Sequence, residues 1–427
     1  MRDDHFQAVL DRYQAERRLP SVVAGVLSGP EVVWSGTAGA ETTADTQYRI
    51  GSITKTMTAV LVMQCRDEGL LALDDPIGTL VPETGYASAT VRQLLSHVSG
   101  MQSEPVGPWW ERSPGVRVEE LLAANDGSGA VFGPGQHYHY SNLGYALLGE
   151  AAARLRGRPW SALVRERLLE PLGMTRTSYL PEAPYAPGLS VHHLEGTLTE
   201  EPLHDTGSMA PAGQLWSTLE DLGRFAAFLS GGDPDILAPR TLTEMRRPVP
   251  PAIDYGLGIR LLPYADGVLA GHTGSMPGFQ SAAFADPLSR IGVVALTNGT
   301  TGFSGSELAL ALLGGRTPGP MKPWVPTHEV PAWAHELLGY WHWGNSAYEV
   351  RWNNEVLEWR DLARGAVAEQ FGLVSHRIVG LAGYHHGETL HVVRRDDGSV
   401  DRLECATFVY TREPYPDLRA PGRPSSS

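Results

Sequence analysis

Gly51-Ser52-Ile53-Thr54-Lys55-Thr56 sets a hydroxyl and an amine three residues apart, one helical turn, where short β runs give way to helical spacing. Only two of the chain's 34 basic residues are lysines, Lys55 and Lys322. Arginine keeps its proton in a protein, whereas a desolvated lysine can release it. Ser52 and Lys55 therefore form a candidate nucleophile and base. A helix opening at Ser52 would aim free N–H groups and the positive end of its dipole at charge developing on that hydroxyl. Its periodicity would put Lys55 on the same face. Taken alone, Ser-x-x-Lys is far more often a helix cap followed by a solvated lysine.

Outward from this stretch, residues 5–18 predict an amphipathic helix, and Ser21–Val26 and Glu31–Gly36 a hairpin turning at Gly29-Pro30. After Ser52, Met57, Val60, Leu61, Gln64 and Cys65 carry helical spacing as far as Gly69. Helices broken by Gly/Pro loops follow at Val91–Ser96, Asn142–Arg154, Trp160–Leu169 and Leu219–Leu229. Strands return at Tyr255–Leu262, Val268–His272, Phe279–Ala285 and Ile291–Thr297, with a helix near Ser306–Leu313. The economical assembly is an α/β (α+β) fold: an antiparallel sheet built from both chain ends, flanked by helices and carrying an inserted helical subdomain. Residues 316–330 have linker composition. Beyond them, Tyr348–Trp352 and Val356–Trp359 flank an Asn353-Asn354 turn, and Leu390–Arg395 and Val400–Tyr410 flank Asp396-Asp397-Gly398. These predict a small all-β domain over 331–415, with a disordered tail at 416–427.

A formal charge of −14 excludes the basic footprint that nucleic acid or an anionic membrane requires. No apolar run is long enough to span a bilayer, and the N-terminus lacks the pattern of a secretory signal. Cys65 and Cys405 are distant in sequence and predict no disulfide framework. A cytoplasmic location is expected. The pairs His137/His139, His192/His193 and His385/His386 lack H-E-x-x-H or Cys–His spacing, so no metal or cofactor is expected. No G-x-S-x-G nucleophile elbow occurs.

Two further segments complete a constellation. In Tyr138-His139-Tyr140-Ser141-Asn142, Tyr140 and Asn142 alternate on an extended segment and can face one way, a phenol to shuttle protons and an amide to bridge lysine and substrate. A phenol beside an ammonium can sit as a phenolate. Gly271-His272-Thr273-Gly274-Ser275-Met276 is a strand edge of small residues that admits a substrate backbone, with the Ser275 N–H as an oxyanion donor and His272 as a polar or cationic group.

Ser52/Lys55, Tyr140/Asn142 and His272-Thr273-Gly274, in that order, resemble the S-x-x-K, Y-x-N and K-T-G or H-T-G motifs of the penicillin-binding-protein and class C β-lactamase superfamily. The flanks Tyr48–Gly51, Val91–His97, Asn142–Gly149, Glu170–Met174 and Tyr255–Gly258 match as well, and the likeness covers about residues 5–315. It implies a β-lactamase/DD-peptidase-like serine hydrolase domain over 1–315. Ser52 is then the nucleophile, Lys55 and Tyr140 carry protons, and Asn142 orients Lys55 and substrate. His272 takes the place of the family's lysine, and the Ser52 and Ser275 amides form the oxyanion hole. Histidine at that position resembles D-stereospecific peptidases and esterases more than β-lactamases.

The C-terminal domain resembles the lipocalin-like β-barrel of D-aminopeptidase-type members. Pro108–Arg112, Ala210–Thr218 and Gly271–Phe279 look like stand-alone penicillin-binding-protein-type thioesterases that cyclise nonribosomal peptides. This implies a peptide or peptidyl-thioester substrate, delivered by a carrier protein, with Trp109, Trp110, Trp216, Thr273, Gly274 and Arg412 as substrate contacts. Arg412 would pair with a substrate carboxylate. A D-stereospecific peptidase or carboxylesterase is the enzymatic alternative. An acylating sensor that does not turn over is the non-enzymatic one.

Overall fold

The computed structural model describes residues 2–265, 267–314 and 317–415. The expected disordered tail, 416–427, and the first residue of the expected linker lie outside the described residues. The chain forms two compact units: Met1–Ser190 with Glu200–Pro323, and Val191–Thr199 with the residues from Trp324 onward. The excursion at 191–199 is not legible in the composition. Within the second unit the Leu194 carbonyl accepts the Trp352 N–H, and the Gly196 carbonyl accepts that of Thr327.

In the first unit, helix α1 (Arg2–Arg17) precedes the hairpin β1 (Ser21–Ser28) and β2 (Glu31–Gly39). Helix α2 (Ile53–Asp67) follows directly on Ser52, and α3 (Asn142–Arg156) and α4 (Leu219–Gly231) belong to the helical insertion. The sheet is completed by β3 (Arg260–Tyr264), β4 (Gly267–Met276), β5 (Phe279–Ala285) and β6 (Ile291–Thr297), before α5 (Gly305–Leu313). The six strands run antiparallel in the order β2-β1-β6-β5-β4-β3, so the first hairpin sits beside the last strand of the unit.

Alternation along the strands divides the core. Val22, Ala24, Val26, Val293 and Ala295 pack with α1 and α5. Val23, Leu27, Val294 and Leu296 turn to the other face, where α2 and α4 lie. Every residue of α2 from Ile53 to Cys65 is buried, the condition of a helix enclosed on all sides. Its polar groups are satisfied by the chain around it. Thr56 and Thr58 donate to the carbonyls of Gly258 and Pro211, Gln64 donates to that of Ile236, and Thr54 accepts the Leu215 N–H.

One expected strand shortens. Residues 255–259 are not a ladder: Leu257 and Gly258 donate instead to the carbonyls of Met245 and Leu95. Gly256 and Gly258 permit that path, since a Cβ on either would lie 2.0 Å from the Met245 oxygen or 2.2 Å from the Ala59 Cβ. Only from Arg260 does the chain enter the sheet. No helix among the described residues is long and apolar enough to cross a membrane.

The second unit contains a closed eight-stranded barrel of β7 (Gly339–Trp343), β8 (Ser346–Asn353), β9 (Val356–Asp361), β10 (Ala366–Val374), β11 (Arg377–Ala382), β12 (Thr389–Arg394), β13 (Val400–Cys405) and β14 (Phe408–Thr411). Neighbours in sequence are neighbours in space, and His342 against Thr411 closes the ring. This is the lipocalin-like architecture expected from the sequence. Two turns differ in detail. The β8–β9 turn falls on Asn354-Glu355, both with positive φ, as a two-residue hairpin demands. The run expected over Val400–Tyr410 is broken at Ala406, whose φ of +50° starts the return into β14.

Candidate active site

The N-terminus of α2, the segment before α3 and the edge of β4 converge in the first unit. Gly51 has a φ of +51°, and a Cβ there would lie 2.5 Å from the Ser275 nitrogen. Gly274 meets the Ile50 carbonyl as closely, its hypothetical Cβ 1.9 Å from that oxygen. Two glycines thus let the strand edge press against the residues just before Ser52. Ser52 and Ser275 line the same cavity, the placement expected of two oxyanion donors.

Lys55 Nζ donates to Ser52 Oγ at 2.9 Å and to the Ala212 carbonyl at 2.6 Å. It also lies 5.0 Å from the centre of the Tyr140 ring and 5.8 Å from that of Tyr145. The side chain is fully buried, and burial lowers its ammonium from the ordinary 10.5 to about 7, against an opposing pull from Glu104 and Glu111. Near neutrality the amine is half unprotonated, the condition for a base beside a hydroxyl.

Tyr140 bonds to Ser52, but burial raises its phenol far above the ordinary range. The phenolate considered from sequence is corrected to a neutral phenol, a donor to an oxygen rather than a resident base. Asn142 also differs from expectation. It is the first residue of α3, and its amide donates to Glu104 at 2.6 Å. Glu104 also accepts the Trp110 indole N–H at 2.6 Å. Asn142 is thus tied to a carboxylate that biases Lys55.

His272 is a neutral group. Its Nδ1 bonds to the Thr273 carbonyl and so carries the hydrogen, leaving Nε2 to accept from the Tyr255 hydroxyl at 2.9 Å. Burial, aided by Lys55 and Arg260, lowers its pKa to about 3. The charged residues that line this cleft, among the described residues, are Arg260, at the start of β3, and Asp254. They line a cavity of about 620 Å³ together with Ser52, Tyr138, Tyr140, Tyr255, His272, Thr273, Gly274 and Ser275.

The expected tryptophan contacts are not among that lining. Trp216 is 1% exposed, edge-on to Phe279 and Tyr185 in the core. Trp110 is buried with its indole on Glu104, and Trp109 is 59% exposed, with Arg112 stacked over it. Arg412 lies in the second unit, where its guanidinium bonds the carbonyls of Glu336, Leu338 and Tyr340 and stacks 3.9 Å from the Trp341 ring centre. Those donors are committed to the turn after residue 335, so the carboxylate-binding role expected of Arg412 is corrected to a structural one.

Residues missed by sequence reasoning hold the site together. His97, with φ +58°, accepts the Ser141 N–H on Nδ1 at 3.1 Å and the His139 N–H on its carbonyl at 2.7 Å, fixing Tyr140 between them. The Leu94-Leu95-Ser96-His97 stretch was the available signal. Glu104 and Arg260 had none, because an isolated acid in a loop or a base on a strand is ordinary.

The profile of the Beta-lactamase family matches residues 6–314, and that of a domain of unknown function matches 330–412. Penicillin-binding protein 4 of Amycolatopsis lactamdurans is 31% identical over 331 residues, covering 69% of this chain and 85% of that protein. The chain spans about half the length, 48%, of Beta-lactamase-like protein 2 of Dictyostelium discoideum, at 31% identity over 56% of its own. Among solved structures, a D-stereospecific amidohydrolase from Streptomyces sp. is 29% identical with a TM-score of 0.60, over 70% of this chain and 96% of that one. SurE is 25% identical with a TM-score of 0.62, over 96% of this chain and 99% of its own.

Proposed function

This chain belongs to the β-lactamase family, in the superfamily it shares with the penicillin-binding proteins, and from that premise we propose a peptidyl acyltransferase. It takes a peptidyl thioester onto Ser52 and releases the peptide as a macrocycle through attack by the peptide's own amine. The observation that carries the acyl-enzyme chemistry is the 2.9 Å bond between Ser52 Oγ and a lysine whose pKa burial has brought to about 7.

The steps follow from these groups. Neutral Lys55 takes the Ser52 proton as Oγ attacks the thioester carbonyl. The oxyanion lies at the Ser52 and Ser275 amides, and its collapse expels the thiolate, which receives a proton through Tyr140. The peptide amine then attacks the ester, gives up one proton, and Ser52 recovers its O–H. Arg260, which lines the cleft, is the group to meet a substrate carboxylate or carbonyl. Thioester delivery by a carrier protein and a cytoplasmic site of action are parts of the same reading.

This reading draws on the likeness to SurE, which extends over 96% of the chain and so includes the barrel-bearing unit. The second reading, hydrolysis of D-amino-acid amides or peptides, draws on the likeness to the D-stereospecific amidohydrolase, which extends over 70% of the chain. Incubation with a linear peptidyl thioester and mass analysis of the products separates the two. Loss of the thiol alone marks cyclisation, whereas loss of the thiol with gain of water marks hydrolysis. Acylation of Ser52 with neither product would leave a sensor and refute both.

A further inference from the structure

Outside this cleft, at one end of the barrel, three side chains of different donor type meet. His385 and Glu388 lie on the connection between β11 and β12, and Cys405 ends β13. Their ligand atoms all fall within 4.8 Å of one another. Glu388 Oε2 is 3.9 Å from His385 Nε2 and 3.9 Å from Cys405 Sγ.

The histidine is prepared for a ligand. Glu369 of β10, itself buried, accepts the backbone N–H groups of Tyr384 and His385 and the His385 ring at Nδ1, at 3.1–3.2 Å. An acceptor-only carboxylate fixes the hydrogen on Nδ1 and leaves a lone pair on Nε2. That nitrogen is buried without a hydrogen-bond partner, in a side chain 1% exposed. Gly383 allows the arrangement: a Cβ there would lie 2.4 Å from Glu369 Oε2, and its φ is +97°. The Phe408 ring closes one side, edge-on to His385 at 4.8 Å.

We infer that His385 Nε2, Cys405 Sγ and Glu388 Oε2 bind one Zn²⁺ ion, with Glu369 orienting the histidine from behind and a fourth position left open. One nitrogen, one sulfur and one oxygen donor suit zinc, whereas magnesium and calcium take oxygen alone. Zinc bonds of about 2.0–2.3 Å set ligands roughly 3.4–3.6 Å apart in a tetrahedron, against 3.9 Å for the two pairs that include Glu388 and a bound of 4.8 Å for all three atoms, so binding also draws His385 and Cys405 together. Glu388 is exposed and free to swing inward. Binding replaces the thiol hydrogen of Cys405 by the cation, and one proton leaves to solvent. The ion would tie the β11–β12 connection to the end of β13. The sequence hid this site because its ligands follow none of the familiar spacings.

The test is a Co²⁺ titration of the full chain after chelator treatment. The expected result is saturation at one ion per chain, a near-ultraviolet thiolate-to-cobalt band, visible bands of a four-coordinate centre, and displacement of both by Zn²⁺. Cys405→Ser should remove the thiolate band. Glu369→Gln should weaken binding by about 10–100-fold, and Glu388→Gln, on an exposed side chain, should weaken it with the fold intact by circular dichroism. No saturable binding by wild-type protein, or saturable binding without a thiolate band, overturns the inference, as does a Cys405→Ser spectrum identical to wild type.

Discussion

Raising the pH from about 5 to about 9 should switch on acylation of Ser52 through one ionisation near 7, that of Lys55. Burial has moved the ammonium from 10.5 to about 7, a change worth about 5 kcal/mol between its two protonation states. With the shift, half of the protein carries a neutral base at pH 7; without it, roughly one molecule in three thousand would. His272, lowered to about 3, and Tyr140, raised far above its ordinary value, stay neutral throughout this range. The assay is stopped-flow release of p-nitrophenol from an activated ester, with the second-order acylation constant followed against pH. The logarithm should climb with unit slope below 7 and level off above it. Lys55→Arg keeps the charge but supplies no base, and should lose about 10²–10⁴-fold. A rate still climbing at pH 9 would mean that the amine titrates as if solvated. That result would refute the reasoning, as would a break that persists unchanged in Lys55→Arg, which would assign the base to another group.

Glu104→Gln removes a charge that favours the ammonium, so the same pH profile should move to lower pH; a shift to higher pH would show that the carboxylate does not act on Lys55. Gly51→Ala forces a positive φ on alanine and sets its Cβ 2.5 Å from the Ser275 nitrogen. Acylation should fall by about 10²–10³-fold, the cost of a misplaced oxyanion donor, while affinity for a non-covalent product, read by calorimetry, changes less. Arg412→Ala strips a donor from three backbone carbonyls and should destabilise the barrel by about 1–3 kcal/mol in urea unfolding. Ester turnover at Ser52 should hold, and its loss would return Arg412 to the substrate.

What the sequence made legible was local. Ser52 and Lys55 share a helix, and one turn of helix fixes their separation. The strands at 279–285 and 291–297 are short runs of apolar and small residues, buried almost throughout, and their length and flanking turns let them be read without a partner. Groups whose chemistry depends on distant packing were not legible. His272 carries the same letter whether cationic or neutral, and only the Tyr255 hydroxyl and burial decide it. Asn142 was placed beside Lys55 by order in the chain, yet the fold of residues 100–112 brings Glu104 to its amide first. Trp216 lay in a segment that looked substrate-facing, but Phe279 from a strand over sixty residues later encloses its ring. A partner for a substrate carboxylate was sought on the last strand, at Arg412, whereas the arginine that lines the cleft is Arg260, just after two glycines.

The burial of Lys55 also gives the protein a spectroscopic address. Lys322, the other lysine, is exposed, so protein labelled with ¹⁵N only at lysine side chains carries two ζ-nitrogens in contrasting surroundings. One exchanges freely with solvent, and the other is shielded against Ser52 and the Ala212 carbonyl. A two-line spectrum can therefore follow the charge of the base through the reaction without a mutation or a probe group.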